Sequence, residues 1–172
     1  ICLLAIFASC NRTEKKETGG TADSTAKSQP ADLPYTASYS SSWSDNVSDA
    51  DLKTVLMTYK DWETGNMKGL LGAMGDSVSI DMASGRHLKM TNPELMKMWT
   101  TNRDSLKSVV IDMEAWNKMY STDKKDGFVD TWYKETDTYK TGKIDSAHYH
   151  DINQLKNGKI VWYSQYKRPA KP

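Results

Sequence analysis

The apolar positions of this chain change period once. Between residues 47 and 106 they recur at three- and four-residue intervals, and beyond 109 they alternate. Leu52, Val55, Leu56, Tyr59 and Trp62 share one face of a predicted helix. Ser48 is its N-cap, Asp51 sits at the third helical position, Val47 can staple onto Leu52, and Gly65 ends the run. Met67, Leu70, Leu71 and Met74 mark a shorter second helix, which Gly69 and Gly72 weaken by up to ~1 kcal/mol each relative to Ala. Residues 77–82 alternate as a strand, and 85–90 form a second short one. Asn92-Pro93-Glu94 is another helix start, a cap followed by Pro at the first helical position, leading to Leu95, Met98, Trp99 and Leu106. Four long strands follow, 109–120, 128–139, 144–155 and 160–167, joined by connections of hairpin length. Helices before and between short strands, then an antiparallel meander, predict an α+β domain in which a curved sheet wraps the helices.

The last two strands meet at Asn157-Gly158, a dipeptide suited to a type I′ turn because both central residues need positive φ. With those two as the loop, Lys156 faces Lys159, Leu155 faces Ile160, Asn153 faces Trp162, Asp151 faces Ser164 and Tyr149 faces Tyr166. One face of the hairpin then carries Tyr149, Asp151, Asn153, Leu155, Ile160, Trp162, Ser164 and Tyr166, a mixture of aromatics and short polar groups expected of a pocket wall. The other carries His148, His150, Ile152, Gln154, Val161, Tyr163, Gln165 and the lysines, and is expected to face solvent.

Taking Thr141-Gly142 as a second two-residue turn places Trp132 beside Asp151 and Asp130 beside Asn153. The pocket face then gains Phe128, Asp130 and Trp132. Two carboxylates among aromatics have their pKa raised by desolvation, which makes either one a general base or a neutral hydrogen-bond donor. On this reading Asp151 and then Asp130 are the candidate acid/base residues, with Tyr149 or Tyr166 as donor. Trp132, Tyr149, Asn153, Trp162 and Tyr166 are the candidate ligand-binding set. A structural alternative stays open, in which these Asp residues lie at the rim or bind Asn153 and backbone amides.

Other chemistries are poorly supplied. His148 and His150 share a strand face and Glu135 could lie opposite His148, but they fall on the lysine-bearing face with no Cys ligand, so no metal site is assigned. The chain lacks a Gly-x-Ser-x-Gly elbow and a glycine-rich phosphate loop before a helix, and no cofactor is called for. The nine methionines, Trp62 and Trp99 sit at core spacings. Acidic and basic residues nearly balance, 22 against 23, and are dispersed, so there is no electrostatic footprint for nucleic acid.

The first ten residues are apolar and end in Phe7-Ala8-Ser9-Cys10, which resembles a bacterial lipobox with Phe7 in place of the usual Leu. About ten apolar residues fall short of the ~20 a membrane helix needs. The expectation is a signal remnant cut before Cys10, lipid on Cys10, and a bacterial lipoprotein anchored at the cell envelope. No Cys pair then remains for a disulfide. Residues 11–46 are a tether of Thr, Ser, Lys, Gly, Ala and Pro, with a reach on the order of 30 Å. At its end Tyr35, Tyr39 and Trp43 form an aromatic arm that either covers an apolar seam or closes the pocket mouth.

Gly75-Asp76-Ser-Val-Ser-Ile80 after a helix pair, and Asn157-Gly158-Lys-Ile-Val161 opening the last strand, resemble the nuclear transport factor 2-like superfamily and its SnoaL-like branch, over residues 47–168. With the lipobox and the Tyr-Ser-Ser-Ser-Trp43 arm, the chain is similar to lipid-tethered bacterial members. The resemblance implies a cone-shaped antiparallel sheet wrapped around three helices, cystatin-like in class, with a small-molecule pocket at the open end. It does not imply a reaction. The reading is a binding domain for a small apolar or aromatic molecule, paired as a homodimer through the outer sheet face with Ile152, Val161 and Tyr163. The alternatives are a ketosteroid isomerase- or SnoaL cyclase-like enzyme using a pocket Asp, and a protein-interaction scaffold whose cone is plugged by side chains.

Overall fold

A computed structural model describes residues 32–170. The lipobox, Cys10 and the tether up to residue 31 lie outside the described residues. In chain order the elements are β1 (Trp43–Ser44), α1 (Asp49–Thr64), α2 (Met67–Gly72), β2 (Met74–Asp81), β3 (His87–Thr91), α3 (Asn92–Asp104), β4 (Leu106–Ser121), β5 (Asp126–Tyr139), β6 (Ile144–Lys156) and β7 (Lys159–Pro169). The seven strands form one curved, unclosed sheet in the order β1-β4-β5-β6-β7-β2-β3. The four long strands make the meander, and β2 joins β7 in parallel.

The helix signals act locally as read. Ser48 Oγ accepts the Asp51 amide at 3.0 Å, and Gly65 ends α1 at φ 76°. For α3 the cap is Thr91, one residue earlier than expected. The Glu94 carboxylate accepts the Thr91 amide at 2.7 Å, and Pro93 then fits the first turn. Arg103 of α3 donates to the carbonyls of Trp62 at 2.9 Å and Glu63 at 3.0 Å, tying α3 to the C-terminal turn of α1.

The helices cover the concave face. Val55, Tyr59, Leu70, Leu71 and Leu95 pack there against Val78, Ile80, Val129, Tyr133, Leu155 and Ile160. The arm joins the opposite side. Tyr39 and Trp43 lie 6.1 and 5.9 Å from Phe128 edge-on, and Tyr39 donates to Asp126 at 2.6 Å. Tyr39 and Trp43 therefore cover the outer face and do not close the concave mouth, while Tyr35 is exposed.

Two expected registers are corrected. Asn157 and Gly158 adopt φ of 53° and 73°, and Leu155 pairs with Ile160 as read. Past that point Val161 is an extra residue, so Gln154 pairs with Trp162, Asn153 with Tyr163 and Asp151 with Gln165. The bulge lies where β2 runs alongside, next to Gly75, whose position a Cβ would fill in ordinary contact with Val161 Cγ1 at 3.4 Å. The β5–β6 connection is a three-residue loop, Lys140–Thr141–Gly142. Tyr139 N–H bonds Lys143 O at 2.8 Å and Gly142 adopts φ 87°, the turn-plus-left-handed-residue form that three-residue hairpins use. Thr131 consequently faces Asp151, and Asp130 faces Ile152.

Candidate functional site

Each shift by one residue turns a strand segment over. Asp151, Asn153 and Tyr149 remain on the concave side as the hairpin predicted. Phe128, Asp130 and Trp132 turn to the outer face, and beyond the bulge Trp162, Ser164 and Tyr166 do the same. Tyr163 and Gln165 come inward instead, so Tyr163 no longer belongs to the outer face for which it was read. Glu135 lies opposite Ala147, also inward, while His148 pairs with Lys134 and bonds Glu114 at 2.9 Å.

The inward side chains and the helices enclose a cavity of about 220 Å³, lined among others by Tyr59, Trp62, Met82, Trp99, Tyr133, Glu135, Tyr149, Asp151, Asn153, Tyr163 and Gln165. Its buried end is a polar cluster. Asp151, 5% exposed, accepts Tyr133 Oη at 3.0 Å and Tyr59 Oη at 3.2 Å, both on Oδ2. The Tyr59 hydroxyl lies 2.6 Å from Thr131 Oγ1 and accepts Asn153 Nδ2 at 3.2 Å; the same Nδ2 donates to Val129 O at 3.3 Å. Asp151 Oδ1 is equally buried and has no donor in bonding geometry among the described residues. Apolar walls rise from there, with the rings of Trp99 and Tyr163 6.4 Å apart.

Burial pushes the Asp151 carboxyl up to about 7, against the lowering pull of Tyr133, Tyr59 and Gln165. Glu135 is pushed up to about 8 by burial first, then by the charges of Asp137 and Asp151, with Trp62 and Lys167 opposing. Burial and the Asp151 charge hold the Tyr59 and Tyr133 hydroxyls well above their ordinary values, so both stay protonated donors. The cavity thus presents two carboxyls poised near neutrality inside an aromatic shell. Among the described residues, no three His, Cys, Asp or Glu side chains come together to hold a metal ion.

Of the residues not read as site residues, Tyr59, Trp62 and Trp99 stood on apolar helix faces and passed as core. Tyr133 and Glu135 were hidden by the misplaced register. The usable signal was Gly142 as third residue of a longer hairpin loop, which puts Thr131, Tyr133 and Glu135 on the inward side together.

No protein-family model matches this chain, and no curated protein matches it in sequence. Solved structures do match. An NTF2-like protein of unknown function from Exiguobacterium sp. 255-15 superposes with a TM-score of 0.57 at 13% identity, covering 68% of this chain and 99% of that one. An LEH-like epoxide hydrolase of Mycobacterium tuberculosis gives 0.59 at 8% identity over 69% and 83%. Another M. tuberculosis protein, solved in complex with estradiol-17beta-hemisuccinate, gives 0.57 at 13% identity over 69% and 94%. Identities this low speak for architecture alone. The chain carries the nuclear transport factor 2-like fold, a curved sheet around helices.

Proposed function

We propose that the concave cavity binds a small molecule with an apolar or aromatic body and at least one hydrogen-bond donor, without turning it over. The observation that carries this reading is Asp151. It lines the cavity with Trp62, Trp99, Tyr163 and Met82, and its buried Oδ1 meets no donor in bonding geometry among the described residues, though Gln165 pulls on the carboxyl; an unmet acceptor of that kind costs about 1–3 kcal/mol until a donor reaches it. A ligand N–H or O–H supplies that donor while its body displaces water from the aromatic walls. The bound steroid ester of the M. tuberculosis neighbour is consistent with an apolar ligand in this fold. The space left between helices and sheet counts against a scaffold whose cone is plugged.

A second reading has its own observation. A carboxyl near pKa 7 exchanges protons in both directions at neutral pH, and Asp151 has two tyrosine hydroxyls beside it. That is the equipment of a ketosteroid isomerase- or SnoaL cyclase-like acid/base enzyme, with Asp151 alone as the catalytic residue, since Asp130 lies across the sheet.

The test is a thermal-shift and native mass-spectrometry screen with steroids, phenols and apolar alcohols beside analogues lacking the donor. A ligand at ten times its Kd stabilises the fold by about 1.4 kcal/mol. Stabilisation by donor-bearing compounds, lost in Asp151→Asn, supports binding; no stabilisation by any class sinks it, and isomerised or cyclised product in the incubations moves the assignment to the enzyme. Anchoring at the cell envelope through lipid on Cys10 is part of this proposal, and incorporation of a palmitate analogue that survives Cys10→Ala refutes it.

A further inference from the structure

The outer face of the sheet holds a second cavity. Tyr39 and Trp43 of the arm, with Met119, Phe128, Ile152 and Trp162, enclose a cleft of about 490 Å³. Its rings meet edge-on, Trp43 and Phe128 at 5.9 Å and Phe128 and Trp162 at 6.5 Å. Asp130 lines this cleft at 7% exposure, and its Oδ1 accepts no hydrogen bond from any described residue.

The carboxylate is not what docks the arm. Tyr39 bonds Asp126 at 2.6 Å, Ser40 bonds Asp123 at 2.5 Å, and Thr122 Oγ1 donates to Ser42 O at 3.2 Å. Burial raises the Asp130 carboxyl and the charge of His150 pulls it the other way, while the His150 ring itself stacks 4.5 Å from Trp132 and 5.8 Å from Tyr166. A buried acid whose Oδ1 meets no donor among the described residues, set in a ring of aromatic side chains, is held back from ionising by its surroundings. An ion of this sign is tolerated in such a setting when a cation pairs with it. Aromatic faces attract the same cation.

We propose that the outer cleft is a second ligand site that takes an organic ammonium. The ligand's N–H donates to the Asp130 carboxylate and its apolar body lies against Trp43, Phe128 and Trp162. Neutral ligands meet the shape of the cleft without its charge, and anions are repelled. The site is independent of the concave cavity, whose carboxyls open on the other side of the sheet.

Titration calorimetry of the described domain within the full chain, with 2-phenylethylammonium at neutral pH, tests this. One saturable site is expected, weakened about tenfold in Asp130→Asn and in Trp43→Ala, unchanged in Asp151→Asn, and about tenfold weaker for neutral 2-phenylethanol, each tenfold being ~1.4 kcal/mol. In the unaltered protein, amide and indole NMR shifts at Trp43 and Trp162 should move with the ligand, a readout that does not depend on any variant folding. Absence of binding, equal affinity for the alcohol, or loss in Asp151→Asn alone overturns the proposal. So does light scattering that shows a dimer excluding the amine, because the face then belongs to a second copy of the chain.

Discussion

Thr131 and Asp151 stand directly opposite each other across the β5–β6 ladder, and one tyrosine hydroxyl, that of Tyr59, bridges them at 2.6 and 3.2 Å. A helix side chain thus locks the register of two strands from the concave side. It also keeps a buried carboxyl in place at the end of the cavity. Structural and chemical roles meet in the same few atoms.

Removing that bridge has a predictable cost. Tyr59→Phe and Tyr133→Phe each delete a hydroxyl that Asp151 accepts, and each should lower stability by about 1–2 kcal/mol. Both should raise the Asp151 carboxyl further, since both hydroxyls favour its ionised form. Urea denaturation gives the first quantity and carboxyl-carbon NMR titration the second. A carboxyl that titrates lower in either variant contradicts the assignment.

Stability should fall as pH rises from about 4 to about 8. An unfolded Asp loses its proton near 3.8, whereas folded Asp151 keeps it to about 7, so the native state binds more protons across that window. Folding free energy contributed by the protonated form is complete below the unfolded value, is lost through the folded one, and is flat above it. For Asp151 the span corresponds to ~4 kcal/mol at most. Glu135, raised to about 8, extends the slope upward. Denaturation curves at several pH values should show the slope, and Asp151→Asn should remove about half of it below pH 7, Glu135 supplying the rest.

The two α2 glycines should respond oppositely to Ala. At Gly69 a Cβ would meet the Asn66 amide and lie 2.5 Å from Oδ2 of Asp61, whose Oδ1 accepts from Asn66 Nδ2 at 2.8 Å. Gly69→Ala should cost about 1–3 kcal/mol through overpacking, in spite of the better helix propensity of Ala. A Cβ at Gly72 meets nothing within 4 Å, so Gly72→Ala should be neutral or stabilise by up to ~1 kcal/mol. Thermal melts of the pair decide it, and a destabilised Gly72→Ala would be the contrary result.

Gly142→Ala should destabilise by about 1–2 kcal/mol, because φ of 87° suits only a residue without Cβ. The cost falls on the loop that sets the β5–β6 register. Hydrogen exchange should therefore show the loss at Tyr139 and its hairpin neighbours first, and uniform loss across the sheet would argue for a different cause.

The sequence by itself determined the element order, the helix starts at Ser48 and near Pro93, the Asn157-Gly158 turn and the α+β class. Those features depend on short-range chemistry: capping hydroxyls and carboxylates, positive φ, and the change from helical to alternating period. It also brought Tyr149, Asp151 and Asn153 to one face, because the turn that orders them is adjacent in the chain. What faces Asp151 was decided only by tertiary structure. The extra residue at Val161 lies where β7 pairs with β2, a strand more than eighty residues earlier, and the longer Lys140–Gly142 loop is one residue away from a shorter alternative in local preference. A single-residue shift costs little in the pattern and reverses every side chain beyond it, which moved Asp130, Trp132, Trp162 and Tyr166 to the outer face and brought Tyr133, Glu135 and Tyr163 into the cavity.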